Sequence, residues 1–340
     1  MAPSAIDIAA SEPTFTLSPP PVPGALKLQY DDFRTDLQNN GYAVVKGAIP
    51  RERADKYRQK ALDWLLSFGT DLDLNNSETW IEKNLPVMNP IIRAFIGYGI
   101  CHEQFMWDVR MEPGVQEAFT KIWGTSDLLS SFDGLNITLP NRPDLAARAG
   151  WEHVDQSPLK RGLHCVQGIV NLAPCGPEDG GLVVYPGSHK LFDKFFDSQT
   201  DSDSWMAKDI FHFSKEQLKW WKDRGIAPQK VCTEPGDLIL WDSRLMHYGS
   251  DPTEKGEQIR TAIYVACMPA RLASPEQLAL KKKVFESYGS TTHWPHEHIV
   301  FRNVQTFLPD GTRDPRDRSQ PLDVPEPTDK LLKLAGVLPY

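Results

Sequence analysis

The sequence predicts a mainly β chain with flanking helices, folded as a double-stranded β-helix, the jelly roll of cupin-like proteins. Two observations predict it. Helical periodicity falls at the front of the chain and in one later segment, whereas β-rich runs dominate from Leu128 to Cys267. The residues best suited to chemistry also sit on those β-type runs rather than on helices.

The elements follow in order. Residues 1–25 contain Ser18-Pro19-Pro20-Pro21-Val22-Pro23 and further Ser and Thr, a composition that favours extended, mobile chain. A single domain is expected over 26–307. Gly41 to Gly47 reads as a strand entering a helix. From Pro50 to Phe68, Ala54, Tyr57, Ala61, Trp64 and Leu65 recur at helical spacing. Glu112–Trp123 and Ser214–Arg224 read as helices too, with Ser214 as N-cap and Gln217 three residues on. Ser131 to Asn136 reads as a barrel strand. Pro235-Gly236-Asp237 is a turn before a short buried strand ending at Trp241. Arg260–Cys267 is a β-rich run, expected to pair with the His247 strand as a hairpin closed by Gly249 to Gly256. Residues 308–340 read as a Pro-rich, surface-wrapping tail. No internal repeat is visible.

Composition narrows the class. A chain of 340 residues allows one large domain or two average ones. A net charge of −8 argues against a nucleic-acid surface. No segment approaches the ~20 apolar residues that a membrane span needs. Asp7 and Glu12 stand where a secretory signal would carry a basic start and an apolar core. Five scattered cysteines without a Cys-x-x-Cys pair point to a reducing, cytoplasmic setting. A homodimer stays open.

The chemistry centres on four residues. His153 and Asp155 flank Val154; in an extended strand, residues i and i+2 face one side, so both can point at one ion. His247 follows the Trp241 strand and supplies a third donor. Two imidazoles and one carboxylate leave open positions on an octahedral metal, the donor set of non-haem Fe(II) sites that use O₂. Arg260, thirteen residues beyond His247, adds a planar cation able to hold the carboxylate of a co-substrate acid. Alone, His-x-Asp is common in proteins that bind no metal, and a lone histidine is more often structural. The ordered combination on β-type segments carries the reading: a 2-oxoglutarate-dependent oxygenase.

At these residues the chain resembles the phytanoyl-CoA hydroxylase-like family of Fe(II)/2-oxoglutarate dioxygenases, including fungal members that tailor small metabolites. The resemblance runs from about Asp31 to Pro269. It rests on Gly41–Gly47, on Glu178-Asp179-Gly180-Gly181 followed by Pro186-Gly187-Ser188-His189, and on Pro235–Trp241 ahead of His247. It implies a metal site of His153, Asp155 and His247, with 2-oxoglutarate held by Arg260, and Fe(II), 2-oxoglutarate and O₂ as cofactors. A reducing compartment would keep the iron ferrous. Trp151 stands where some fungal relatives carry a glutamine that helps hold the co-substrate. The resemblance also implies that Asp155, which iron halogenases of this superfamily replace with a small residue, points to hydroxylation, desaturation, epoxidation or oxidative cyclisation, with release of succinate and CO₂. No basic cluster for a coenzyme A phosphate is visible, so a small substrate such as a secondary-metabolite intermediate or an amino acid is expected.

Other residues have two readings. Asn136 and Gln167 are candidates to reach the co-substrate, or are internal hydrogen-bonding groups. Gln104, Phe105, Met106, Trp107 and Arg110 either line the substrate entrance or, for Trp107, belong to the core. His164, His189 and His212 read as structural. His293, His296 and His298 form a His-rich tract that either binds metal or packs beside Trp294-Pro295 over the barrel mouth, with the second favoured. Two other function classes stay open: a cupin-like metalloenzyme that does not use 2-oxoglutarate, which Arg260 disfavours, and a non-catalytic binding protein on the same fold.

Overall fold

A computed structural model describes residues 30–142, 144–146, 148–297 and 304–340. The N-terminal Pro-rich segment and His298 lie outside them. Helices α1 (Arg34–Asn40) and α2 (Arg51–Leu66) enclose strand β1 (Tyr42–Val45), and α3 (Gln104–Arg110) and α4 (Pro113–Trp123) follow. The barrel strands are β2 (Leu128–Ser130), β3 (Leu135–Thr138), β4 (His153–Val154), β5 (Val166–Asn171) and β6 (Gly181–Val184). Next come α5 (Phe192–Gln199), β7 (Phe211–His212), α6 (Lys215–Lys222) and β8 (Gln229–Lys230). Strands β9 (Leu238–Asp242), β10 (His247–Ser250) and β11 (Arg260–Pro269) complete the barrel; α7 (Pro275–Glu286) and α8 (Asp329–Leu334) close the chain.

Two antiparallel sheets face each other. One has the order β1-β9-β5-β11-β2, with β3 also pairing the start of β11. The other has the order β7-β4-β10-β6-β8. This is the predicted double-stranded β-helix with flanking helices.

Period-2 alternation decides which side chains meet the helices and which meet the interior. Val166, Val170, Leu238, Leu240, Ile263 and Val265 pack into the large core beneath α2, α3 and α4. Their neighbours Ile169, Ile239, Trp241 and Ala262 turn inward to meet Leu182 and Val184 from the opposite sheet. Arg260 precedes Ala262 by two residues and so shares its inward face. A separate aromatic cluster of Phe192, Phe195, Phe196, Trp220 and Trp221 fastens α5 and α6 over Val154 and Met246.

The helices follow local signals. In α2 the buried positions are Ala54, Ala61, Leu62, Trp64 and Leu65. Helix α4 has proline in its first turn and ends at Gly124. Helix α6 has the predicted capping box between Ser214 and Gln217. Gly41 ends α1 at φ 82°, and a Cβ there would sit 2.5 Å from His189 Nδ1. Only glycine meets both demands.

Two expectations are corrected. β10 and β11 form no hairpin: β10 pairs with β4 and β6, and β11 pairs with β2, β3 and β5. The connection from Asp251 to Ile259 crosses between the two sheets instead of turning within one. Arg110 does not line an entrance, and Trp107 takes its core reading. Both are fully buried in the helical layer, where Arg110 donates to Cys101 O and Asp133 O. The segment 308–340 carries α8, which buries Leu331 and Leu334, and Asp314 accepts a hydrogen bond from Tyr98. The five cysteines are free. Among the described residues no helix is long and apolar enough to cross a membrane.

Candidate metal centre and its cavity

β4 and β10 lie side by side with His153 opposite His247. That register puts both imidazoles together, ring centroids 4.3 Å apart. Asp155 follows the last residue of β4, and its N–H donates to Ser243 O across 2.9 Å. One donor atom from each of His153, Asp155 and His247 lies within 4.8 Å of the other two, and all three residues are buried. No other such His/Cys/Asp/Glu cluster occurs among the described residues.

The imidazoles are already oriented. His153 Nδ1 lies 3.1 Å from Trp151 O, and His247 Nδ1 lies 2.8 Å from Leu245 O. Carbonyls only accept, so the Nδ1 atoms are the donors, leaving each Nε2 lone pair facing inward. His153 Nε2 is 3.6 Å from Asp155 Oδ1, and His247 Nε2 is 3.2 Å from Asp155 Oδ2. Two lone pairs directed at a carboxylate, with no proton between them, are suited to a shared cation.

The electrostatics agree. Burial pushes the Asp155 carboxyl up, but its interactions with His153, His293 and His247 outweigh it and hold the group well below the usual carboxylate range. Burial lowers His247, and the neighbouring His153 ring adds to that. An ionised carboxylate beside neutral imidazole is the form a divalent metal binds. Trp151 stacks on His153 with ring centroids 4.2 Å apart and planes 9° apart, and its Nε1 donates to Gly249 O.

A cavity of about 620 Å³ opens onto this cluster, and all seven site residues expected from the sequence line it. Two of them take parts that local sequence did not specify. Gln167 Nε2 donates to Asp155 Oδ2 at 2.9 Å and so fixes the carboxylate. Asn136 braces Arg260: its Oδ1 accepts from Arg260 Nη1 at 2.5 Å, while its Nδ2 donates to Arg93 O. Arg260 is 6 % exposed, its Nε has no partner, and it forms no ion pair among the described residues. A buried guanidinium with spare donors and no anion is costly, and an acidic ligand removes the cost.

The His-rich tract divides. His293 lines the cavity, and its Nε2 is buried without a partner. His296 is buried away from the cavity lining, its ring held at about 4 by desolvation. Lys160 fixes the segment between them: its Nζ bonds Asp209 and Glu297, each at 2.8 Å, and lies 3.8 Å from the centre of the Trp294 ring. Sequence reading missed this clamp, along with Trp241 and Tyr264 in the cavity wall. The clamp joins residues more than a hundred positions apart, so no local pattern signals it. His189 is buried against Gln38 O, and Arg244 pairs with Asp242, so both stay outside the cluster.

The phytanoyl-CoA dioxygenase (PhyH) family matches the chain over residues 37–262. A protein of Aspergillus versicolor, Ava biosynthesis cluster protein O, is 41% identical over 283 residues, 81% of this chain and 89% of that protein. Among solved structures, EctD from S. alaskensis with bound Fe superposes with a TM-score of 0.52 at 16% identity, covering 75% of this chain and 84% of that one. A hypothetical protein from Escherichia coli gives 0.51 at 17% identity, covering 77% and 73%. The two structural likenesses bear on the fold alone.

Proposed function

The chain belongs to the phytanoyl-CoA dioxygenase family, and on that premise we propose that His153, Asp155 and His247 hold its iron and that Arg260 holds the far carboxylate of 2-oxoglutarate. The protein is a non-haem oxygenase whose cofactors are Fe(II), 2-oxoglutarate and O₂, acting on a small metabolite. Family membership removes the two alternatives left open by the residues, a cupin-like metalloenzyme without 2-oxoglutarate and a non-catalytic binding protein.

One observation carries the assignment of residues. Arg260, a buried cation without an ion-pair partner, shares a cavity with a buried cluster of two histidines and one carboxylate. When bound, Fe(II) supplies the activation of O₂ coupled to decarboxylation of 2-oxoglutarate to succinate and CO₂. The chain's own residues do the rest. Trp151 O and Leu245 O fix the two imidazole tautomers. Gln167 keeps Asp155 in one orientation. Asn136 holds the guanidinium at the opposite wall, so the acid is aligned before it reacts. Trp151, Ile169, Leu182, Trp241 and Tyr264 supply apolar surface around the centre and exclude water.

The reaction is hydroxylation, desaturation, epoxidation or oxidative cyclisation of a biosynthetic intermediate or amino acid. The cavity supports a substrate with an apolar body and a polar group, the latter facing His293 Nε2. The name of the Aspergillus versicolor relative supports a place in secondary metabolism. The test is succinate release from protein reconstituted with Fe(II) without oxygen, then given 2-oxoglutarate, air and a panel of small metabolites. Succinate that requires Fe(II) and rises with one member of the panel is expected. Release that is indifferent to iron, or unchanged in Asp155→Ala, would contradict the assignment.

A further inference from the structure

The wall of the cavity beside the metal cluster is built from two segments far apart in sequence. Lys208, Asp209 and Ile210 line it from one, and Thr292, His293 and Trp294 from the other. Strand register places the first. β7 pairs with β4, His212 opposite His153 and Phe211 opposite Val154, so the chain enters β7 from beside Asp155. The second segment follows Thr291, whose N–H donates to Phe132 O at 2.9 Å. One ammonium joins the two. Lys160 Nζ lies 2.8 Å from Asp209 Oδ2, 2.8 Å from Glu297 Oε2 and 3.8 Å from the centre of the Trp294 ring. The side chains of Lys160, Asp209 and Glu297 are 7 %, 3 % and 15 % exposed, so solvent screens these pairs little. The loop that carries Lys160 is itself tied to the metal cluster. Gln156, next to Asp155, donates through Nε2 to Lys160 O at 3.1 Å and Gly162 O at 3.0 Å, and its Oε1 accepts from Ser243 Oγ at 2.8 Å. Ser243 O accepts from Asp155 N, and Ser243 begins the turn that leads to His247. Ser157 fastens the first wall segment to the same loop, its N–H donating to Asp209 Oδ1 at 2.9 Å and its hydroxyl to Met206 O at 2.5 Å.

We propose that Lys160 is a positioning residue for the substrate: it indexes both wall segments to the loop behind Asp155 and so sets the shape of the chamber beside the metal. This rests on the reading of the metal site given above. Lys160 does not line the cavity and acts through Asp209 and Trp294, which do. Two charge-assisted bonds fix the spacing of the segments, and the cation over the Trp294 ring fixes its tilt. Asp209 and Glu297 spend their carboxylates on Lys160, so the wall meets substrate chiefly with Ile210, His293 and the Trp294 ring. A wall already in place selects by shape and costs the substrate no ordering.

Two variants test this. Glu297→Gln releases the second segment alone, and Lys160→Met releases both. Lys160→Met strands two buried carboxylates, so Glu297→Gln decides the matter if Lys160→Met folds poorly. Hydrogen–deuterium exchange of the Fe(II) protein, read by peptide mass spectrometry, is expected to quicken in 292–297 for both variants and in 206–210 for Lys160→Met alone. Anaerobic titrations of Fe(II) and of 2-oxoglutarate stay superimposable on those of the parent. With the panel compound that most raises succinate release in the parent, the half-maximal concentration is expected to rise about tenfold, the cost of ordering a loosened wall on binding. The maximal rate changes little, as for a loss of binding shared by ground and transition states. Quickened exchange with an unchanged half-maximal concentration makes the clamp structural and overturns the inference. So does unchanged exchange, or a loss of 2-oxoglutarate affinity equal to that of the compound. Succinate release retained in Asp155→Ala overturns the metal reading and this inference with it. Release lost in Asp155→Ala beside parent-like Glu297→Gln and Lys160→Met overturns this inference alone.

Discussion

Three buried cations have no ion-pair partner among the described residues, and they do different work. Arg110 and Lys281 are fully buried in the helical layer. Arg110 donates to Cys101 O and Asp133 O, and Lys281 to Ser130 O at 2.5 Å. Each also lies over an aromatic ring, that of Trp107 or Phe132. Arg260 lies instead in the cavity wall and uses one donor on Asn136; its Nε is unpartnered, as that of Arg110 is, but the Arg260 guanidinium meets a cavity and that of Arg110 does not. A buried cation is therefore not itself a site. Where backbone carbonyls take up the donors, it holds an irregular strand in place. Where donors remain and a cavity meets them, an anionic ligand would satisfy them.

The largest expected effect is at the metal. His247→Ala or Asp155→Ala should abolish stoichiometric Fe(II) binding and succinate formation, checked by metal analysis of the reconstituted protein and by succinate assay. Retention of iron in either variant would move the centre elsewhere. Next comes the cavity's own cation. Removing one partner of a desolvated charge pair typically costs about 2–5 kcal/mol, so Arg260→Ala should weaken 2-oxoglutarate by roughly tenfold or more. Arg260→Lys should recover little, because lysine lacks the planar two-donor fork.

A smaller effect is expected one step back from the metal. Gln167→Leu leaves Asp155 Oδ2 without its side-chain donor, and loss of such an outer partner typically costs about 10–100-fold in metal affinity. Competition with a calibrated chelator measures it. Unaltered affinity would show that the backbone bond from Asp155 to Ser243 suffices.

The smallest effect belongs to the helical layer. Burial holds the Lys281 ammonium well below its ordinary value of 10.5. The unfolded chain then binds that proton more tightly than the folded one, so stability rises with pH between the folded value and 10.5. Lys281→Met trades a buried charge for apolar volume, which is often close to neutral, and should change stability by no more than about 1–2 kcal/mol. It should also flatten the alkaline rise of Tm. A large loss without flattening would mean that the bond to Ser130 O outweighs the charge.

What could be read from the sequence was local. His153 and Asp155 announce themselves by spacing, and the capping box of α6 by four consecutive residues. Arg260 was found by its place at the head of a β-rich run, although its strand pairs with β3 and β5 rather than with the His247 strand. Register between strands distant in sequence is set by which apolar faces meet, and one sequence does not display that. The same limit hid the role of Gln167, which reaches Asp155 only because β5 and the end of β4 come together. Arg110 was read as an entrance residue because cationic side chains are common there; α3 instead turns it into the core beside Trp107, where the core reading holds.

The central claim is that one cavity holds a metal at His153, Asp155 and His247 and an acid at Arg260. The most direct measurement is anaerobic titration of 2-oxoglutarate into the Fe(II)-loaded protein and its Asp155→Ala and Arg260→Ala variants, read by the metal-to-ligand absorption band. The account predicts a saturable band in the parent protein, none in Asp155→Ala, and in Arg260→Ala a band that needs about ten times more acid or beyond. Superimposable curves for the parent and Arg260→Ala would contradict it.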